Sequence, residues 1–360
     1  MTSSLAWSSP FRRAGDSLLK SQQIGLVVVL LVLGGALTLA AGSHVDRISG
    51  GVVNDFLNAH TLVQMATDAS GFAIMGVGAT IVIVSGGIDL SVGAVYALAG
   101  VSMAMVLRAL GPMEPVATVF VGLGTCLFVS LLCGLANGLM VIGLGVHPFI
   151  ITLGTMWILR GIAFVVSHAQ SILVPTALTN VAKARLGLGS ELSPVPLVSM
   201  LVATLLGFVY LTRTVPGRHV FAIGGNAEAS RYSGLAVDRV KLGVYVLSAL
   251  SAGVAAFLGA AFYGSATSSD ANGYELYVIA SAVVGGASLA GGKGSAVSAT
   301  LGALLIVMIR QAIRTLHLDQ NYEWIIIGGA MILAVVLDQS GTRLLTRRLS
   351  AVPARQSSTP

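Results

Sequence analysis

Three ionisable residues, Asp68, Asp89 and Arg160, lie in or beside long apolar stretches of the sequence. A charge at membrane depth is costly, so each of them is a candidate functional residue. If the stretches that carry Asp68 and Arg160 pack together, the two side chains could form an intramembrane ion pair, either functional or purely structural. The alternative for Arg160 is a long side chain that reaches a lipid headgroup.

Sequence motifs for catalysis are missing from the chain. The segment AGGKGS resembles a phosphate-binding loop, but G-x-x-x-x-G-K-[ST] would need Gly in place of Ala287 and Ser or Thr in place of Gly294. The six histidines are scattered and form no H-x-x-x-H pair or Cys/His cluster that would hold a metal. No G-x-S-x-G nucleophile elbow occurs. We therefore expect no ATP hydrolysis, no metal site and no cofactor on this chain.

The composition of the chain indicates a membrane environment. Of the 360 residues, 55% are hydrophobic and only 9% are charged, and the mean hydropathy is +0.89. Soluble domains carry about 25% charged residues, so a soluble enzyme and a disordered regulator are both poor interpretations. The net charge of +6 on so apolar a chain fits membrane topology better than nucleic-acid binding.

Apolar stretches long enough to cross a bilayer recur along the chain. A bilayer core needs about 20 apolar residues per helix, and the alternating decamers of a barrel are absent from the sequence. We therefore predict an all-α polytopic membrane protein with about ten transmembrane helices, although 276–313 could also be one broken pair. The first stretch is predicted to be a retained helix, since a signal peptide has an apolar core of only about 7–15 residues. The ten stretches are 23–42, 61–84, 91–110, 115–142, 147–167, 194–212, 241–263, 276–291, 295–313 and 324–338.

The distribution of basic residues predicts the orientation. If the N-terminus is cytoplasmic, thirteen of the 20 Lys and Arg residues fall on the cytoplasmic side, six fall outside, and Arg160 lies within a span. This asymmetry follows the positive-inside rule. We therefore expect a cytoplasmic N-terminal segment (1–22), a transmembrane domain (23–338) and a basic, flexible cytoplasmic tail (339–360), so that both termini are cytoplasmic.

Glycine is abundant, at 44 residues, and occurs in two kinds of pattern. The segments 86–93 and 285–292 both read GGxxLxxG, which indicates either an internal repeat or chance in a Gly-rich chain. The segment 134–138 is a GxxxG, which favours close helix packing, with a dimer seam as the alternative. Asn137 within it is polar, so we expect it to face protein or a cavity.

The longest predicted cytoplasmic loop, 213–241, contains a short helix signal. Asn226 is a good N-cap, Glu228 in the first turn complements the helix dipole, and Gly234 is a natural stop. So short a helix is marginal alone in water. It must therefore dock, either on a partner protein or on the surface of its own bundle.

Four segments carry a further pattern, in this order: SGGIDLSVGAVYALAG (85–100), NGLMVIGLGVHPFIITLGTMWILRG (137–161), GRHVFAIGGNAEASRYSGLAVDRVK (217–241) and GYELYVIASAVVGGASLAGGKGS (273–295). Together they resemble the permease subunits of bacterial ABC importers of the ribose/galactose/xylose type, over about 280 residues. The resemblance implies a multi-pass subunit of the bacterial cytoplasmic (inner) membrane with ten helices. It also implies a homodimer or pairing with a homologous permease, a periplasmic sugar-binding protein, and a separate cytoplasmic ATPase that binds ATP and Mg²⁺.

The resemblance also implies roles for particular residues. The loop helix would seat in the ATPase through Asn226, Glu228, Arg231, Tyr232 and Gly234. The binding protein would dock on outer loops that include 168–193 and 264–275. One position departs from the family, which often has Asp where this chain has Tyr277. The loss of that acidic group at the outer mouth puts the identity of the substrate in doubt.

Transport of a neutral, ribose-like monosaccharide or similar polyol needs hydrogen-bonding groups and an aromatic face along the pathway. We expect polar groups of the second, fourth and fifth spans to supply them. The alternative function is an ion-gradient-driven secondary transporter in which Asp68 or Asp89 titrates, and a membrane-embedded enzyme is a distant third. The predicted pathway residues are Gln64, Asp68, Asn137, Thr152, Thr155 and Trp157.

Overall fold

The fold, in the computed structural model, is a bundle of α-helices. The structure describes residues 10–45, 50–184 and 193–330, with the isolated positions 332 and 336 beyond them. Its helices are α1 (Pro10–Ala40), α2 (Ala59–Val84), α3 (Val92–Leu110), α4 (Pro115–Gly143), α5 (Pro148–Ser167), α6 (Thr176–Ala182), α7 (Val195–Arg213), α8 (Val215–Gly225), α9 (Ala227–Tyr232), α10 (Val237–Tyr263), α11 (Tyr274–Val284), α12 (Ala296–Thr315) and α13, which begins at residue 322 and is described as far as residue 330.

Two short antiparallel strand pairs accompany the helices. Strand β1 (Ser43–Val45) pairs antiparallel with β2 (Val52–Asn54), directly after α1. Strand β3 (Ile172–Leu173) pairs antiparallel with β4 (Ser265–Ala266), so the segment after α5 is tied to the segment after α10. The prediction of an all-α polytopic membrane protein is confirmed, because eight of the described helices are long and apolar enough to cross a membrane.

The eight long helices coincide with eight of the ten predicted stretches, and the other two differ. The stretch 276–291 contains the 11-residue α11, which ends before Gly285 because Gly286 adopts the left-handed region at φ +95°. The last stretch, 324–338, begins within α13 and continues outside the described residues. Helix α1 begins at Pro10, so it extends into the predicted segment 1–22, while the predicted tail 339–360 lies outside the described residues.

Helix α2 lies at the centre of the bundle, where Phe72, Met75 and Val82 are almost completely buried. It packs against α7, α10, α11 and α12. The most extensive helix contact joins α4 to α10. There a Cβ on Gly134 would lie 2.8 Å from the Cα of Val246, so the GxxxG segment packs within one chain rather than forming a seam between two copies.

Candidate functional site

The predicted loop helix is present as α9. Its N-cap is Asn226, whose Oδ1 accepts a hydrogen bond of 2.9 Å from the N–H of Ala229, and Gly234 follows it at φ +83°. Tyr232 projects from the helix and is 84% exposed. The Arg231 guanidinium pairs with Asp238 on α10 at 2.7 Å, and both side chains are at least half exposed. The capping signals therefore predicted the helix and its limits.

The helix before it, α8, was missed by the sequence analysis. Thr214 caps it by accepting a hydrogen bond of 3.1 Å from the N–H of Gly217, and Pro216 lies in its first turn. Val220 and Ile223 are buried at a spacing of three residues. The Thr-Val-Pro start and this apolar spacing are the signals that could have identified it.

Helix α8 ends against two glycine-rich turns in a contact that we call the glycine junction, formed by Gly86, Gly224, Gly291 and Gly292. The N–H of Gly292 donates a hydrogen bond of 2.9 Å to the carbonyl of Val84, the last residue of α2. A Cβ on Gly224 would overlap that carbonyl, and one on Gly291 would lie 2.6 Å from the carbonyl oxygen of Gly224. The junction is thus a contact of backbone on backbone.

The two GGxxLxxG segments have the same local structure. Gly86 and Gly286 each follow a helix end in the left-handed region, with φ values of +81° and +95°. In both turns the N–H of that glycine donates to the carbonyl three residues earlier, and the next N–H donates to the carbonyl five residues earlier. The structural equivalent of Gly86 is therefore Gly286, one residue later than the sequence pattern indicates.

The buried carboxylate of Asp89 follows the first of these turns. Its Oδ1 accepts hydrogen bonds from the backbone N–H (2.9 Å) and hydroxyl (2.7 Å) of Ser91, and its Oδ2 accepts one from the Ser248 hydroxyl (2.8 Å). The Ser91 hydroxyl in turn accepts a bond of 2.7 Å from Asn137. Burial raises the pKa of Asp89, and the hydrogen bonds oppose that effect. This arrangement holds the turn before α3 against α4 and α10.

In the N-terminal half of α2, Asp68 joins three other side chains. Its Oδ1 accepts hydrogen bonds from the Tyr263 hydroxyl (2.9 Å) and from the Gln64 amide (3.1 Å). Its Oδ2 lies 3.5 Å from Nη1 of Arg314 on α12. The carboxylate therefore bridges α2, α10 and α12.

A second carboxylate, Glu323 on α13, has matching partners. Its Oε1 accepts a hydrogen bond of 2.6 Å from the Tyr277 hydroxyl and lies 2.9 Å from Nε of Arg310. The Arg310 guanidinium also lies over the rings of Phe72 and Tyr277, at 5.5 and 5.4 Å from their centroids. We call these two arrangements the tyrosine–carboxylate–arginine triads: Tyr263–Asp68–Arg314 and Tyr277–Glu323–Arg310.

Of the residues in the two triads, the sequence analysis named Asp68 as a candidate functional residue and Tyr277 as a departure from the family, and it missed the other four. The signal that it missed is a pair of arginines, Arg310 and Arg314, at i and i+4 on one apolar helix. Such a spacing places both on one face. Beside Asp68 a cavity is lined by Thr67, Ser70, Gly71, Tyr96, Tyr263 and Tyr274, among others.

The expected ion pair between Asp68 and Arg160 is wrong. Asp68 pairs with Arg314, whereas Arg160 donates to three backbone carbonyls in the segment after β4. Its Nη1 lies 2.8 Å from the Ser268 carbonyl oxygen and 2.6 Å from that of Asp270, and its Nη2 also bonds to the segment. A guanidinium fork satisfies several fixed acceptors at once, so these carbonyls stabilise Arg160.

The predicted pathway residues fall in three places. Gln64 lies beside the first triad and donates to Asp68. Asn137 bonds to Ser91, and the Thr152 hydroxyl donates to the Ile88 carbonyl (3.2 Å) in the same turn. The Thr155 hydroxyl donates to the Thr152 carbonyl, and Trp157 is 69% exposed on the outer face of α5. Their role in a pathway stays a prediction.

Comparisons with known proteins match most of the chain to permease sequences. A family profile described as branched-chain amino acid transport system / permease component matches residues 61–335. The D-allose transport system permease protein AlsC of Escherichia coli (strain K12) is 35% identical over 286 residues, which cover 79% of this chain and 85% of that protein. No solved structure matches the chain.

Two further relatives are autoinducer 2 import system permease proteins LsrD. The one from Yersinia enterocolitica is 33% identical over 288 residues and covers 78% of this chain and 84% of its own length. The one from Yersinia pseudotuberculosis (strain YPIII) is 32% identical over 312 residues, with 84% of this chain and 90% of that protein covered. The likeness therefore extends over most of both chains.

Proposed function

The chain belongs to the family of branched-chain amino acid transport system permease components, and from this premise we propose that it translocates a ribose-like monosaccharide or similar small polyol. It is a permease subunit of an ABC sugar importer of the ribose/galactose/xylose type in the bacterial inner membrane. The D-allose permease among its relatives supports a sugar as the substrate class. The subunit acts as a transport component, and the chemistry of ATP belongs to another chain.

The energy for transport is supplied by a separate cytoplasmic ATPase, which binds ATP and Mg²⁺. The incomplete phosphate-binding loop around Lys293 supports the assignment of ATP binding to a separate chain. A periplasmic sugar-binding protein delivers the substrate to the outer loops. The permease acts as a homodimer or pairs with a homologous permease, as importers of this family do in general.

The observation that carries the proposal is the position of α9. The helix is short, capped at Asn226 and exposed at Tyr232, and it follows directly on α8, which ends in the glycine junction. A partner that seats α9 can therefore displace α8, and α8 contacts the end of α2 through the glycine junction and through Val220, which lies in one apolar cluster with Val82 and Val84. Asn226, Glu228, Arg231, Tyr232 and Gly234 are the residues that we assign to the contact with the ATPase.

This assignment can be tested by replacing 227–233 with a Gly-Ser segment of equal length. The permease, its ATPase and its binding protein are reconstituted in proteoliposomes, and ATP-dependent sugar uptake is measured. We expect uptake to be lost while membrane insertion stays intact. Phe128→Ala is the control, because this aromatic side chain is also exposed but lies on α4. Uptake at the normal rate by the replaced permease would contradict the coupling role of α9.

An ion-gradient-driven secondary transporter is the alternative, and the buried carboxylate of Asp89 is the observation that favours it. Asp89 has only neutral hydrogen-bond partners among the described residues, so its protonation would not break an ion pair. Asp68 is the other residue that could titrate in such a mechanism. Uptake that a proton or sodium gradient drives without the ATPase, and that Asp89→Asn abolishes, would establish this alternative.

A further inference from the structure

The two triads repeat one set of groups around the N-terminal half of α2. Each has a carboxylate that accepts a tyrosine hydroxyl and lies beside an arginine. Arg310 and Arg314 are one turn apart on α12, and Asp68 and Phe72 are one turn apart on α2. Since side chains at i and i+4 are separated by about 6 Å, the triads are neighbours.

The hydrogen-bonding capacity of the triads exceeds what their internal contacts use. An ionised carboxylate has about four lone-pair sites and a guanidinium has five N–H donors. Arg314 and Tyr263 are not enclosed, and Tyr263 is 58% exposed. Both donors and acceptors therefore remain for a ligand that enters the cavity beside Asp68.

The charge of the triads selects against an ionic ligand. Two carboxylates face two guanidinium groups, so the four charges cancel. A charged group bound at either triad would lie beside a like charge as well as an opposite one. A hydroxyl group can instead donate to a carboxylate and accept from an arginine while both ion pairs stay formed.

Aromatic rings lie between and beside the triads. The ring of Phe72 packs on Tyr274 and Tyr277, at centroid distances of 4.6 and 5.5 Å, and Trp324 packs on Tyr277 at 5.6 Å. Trp324 is 56% exposed, and Tyr274 lines the cavity with Asp68. Aromatic faces of this kind pack against the C–H face of a sugar ring, and convergent polar groups fix its orientation.

We propose that the two tyrosine–carboxylate–arginine triads and these rings form a binding site for one neutral sugar molecule on its way through the permease. The site rests on the proposed function, since it gives that function a place where the substrate is held. Sugar hydroxyls bond to the carboxylates and guanidinium groups, and the ring packs on the aromatic side chains. The cavity beside Asp68 widens to admit the ligand.

The second triad holds the only carboxylate that the described residues of α13 contribute. The Tyr277 hydroxyl lies 2.6 Å from the carboxylate of Glu323, which also pairs with Arg310. Glu323 thus supplies the acceptor of the second triad from α13. We assign Glu323 as a residue that determines substrate specificity.

Binding can be measured on the purified full-length permease, without the ATPase. The other two tryptophans, Trp7 and Trp157, are replaced by Phe, so that Trp324 alone reports by fluorescence. D-ribose, D-allose and L-leucine are titrated. We expect saturable changes with one or both sugars and none with leucine, and about tenfold weaker binding for Asp68→Asn and for Glu323→Gln. Glu114→Gln, an exposed carboxylate before α4 without a capping bond, is the control.

The outcomes separate this site from the proposed function. A saturable response to leucine alone, no response to either sugar, or equal sugar affinities in Asp68→Asn, Glu323→Gln and Glu114→Gln would overturn the site. Failure of ATP-dependent uptake in proteoliposomes would instead count against the proposed function.

A charge-swapped variant, Asp68→Arg with Arg314→Asp, distinguishes a site from a purely structural ion pair. A structural pair predicts that the swap restores sugar affinity as well as the unfolding temperature. We expect the unfolding temperature to recover and the sugar affinity to stay low, because the acceptor and donor positions are exchanged. Recovery of both would overturn the proposal.

Discussion

Helix α2 contacts its neighbours in different ways at its C-terminal end and in its N-terminal half. At the carbonyl of Val84 the contacts are peptide groups and glycines of the glycine junction, whereas at Asp68 they are long charged and aromatic side chains. The two positions are 16 residues apart, or about 24 Å along the helix. A backbone contact has no rotamers to adjust, so a displacement passes through it undiminished. Side-chain contacts can open and re-form around a ligand, which suits them to the substrate.

The largest effect that we expect comes from one added methyl group at the glycine junction. Gly224→Ala places a Cβ against the Val84 carbonyl oxygen and 2.7 Å from the Gly292 nitrogen. Overpacking of this kind costs about 3 kcal/mol, so the unfolding temperature in detergent falls and ATP-dependent uptake is lost. Gly225→Ala is the matched control, since no atom lies within 4 Å of its Cβ position. Equal unfolding temperatures and equal uptake by the two variants would remove the difference between the C-terminal end of α2 and the region of Asp68.

A smaller effect is expected when the hydrogen bonds from Arg160 to the segment after β4 are weakened. Arg160→Lys replaces a guanidinium fork that reaches three carbonyls with a single ammonium group. We expect uptake to fall about fivefold and protease cleavage within 267–273 to become faster, because the segment is held less firmly. Arg108→Lys, on an exposed arginine in the last turn of α3, is the control. An unchanged cleavage rate would show that the other contacts of this segment hold it in place.

The smallest effect is expected at the exposed ion pair between α9 and α10. Asp238→Asn removes the partner of Arg231, and both side chains are at least half exposed. Exposed pairs contribute about 0.5 kcal/mol or less, so the unfolding temperature and the uptake rate stay close to those of the unchanged protein. A loss as large as that of Gly224→Ala would mean that α9 is positioned by this pair rather than by the glycine junction.

The elements that follow from local signals were predicted from the sequence. Hydropathy over about 20 residues identified the long helices, and the side chain of Asn226 with the glycine at 234 delimited α9. The end of α11 was missed even though Gly285 and Gly286 are in the sequence, because the apolar composition continues beyond them.

The partners of the charged residues could not be predicted from the sequence. Arg160 bonds to backbone carbonyls more than 100 positions away. Because every residue has a backbone carbonyl, the sequence does not indicate which ones accept these bonds. Arg314 contacts Asp68 because α12 packs on α2, and the register of that packing depends on the whole bundle. The triads were therefore visible only once the helices were placed.

The glycine junction has a consequence for how import responds to its surroundings. Its described contacts are made by peptide groups, which carry no net charge for ions to screen and have no proton to lose in the physiological range. Transmission between α8 and α2 should therefore be indifferent to ionic strength and acidity. Any dependence of uptake on salt or pH would then arise elsewhere, in the capture of substrate or in the docking of partner proteins.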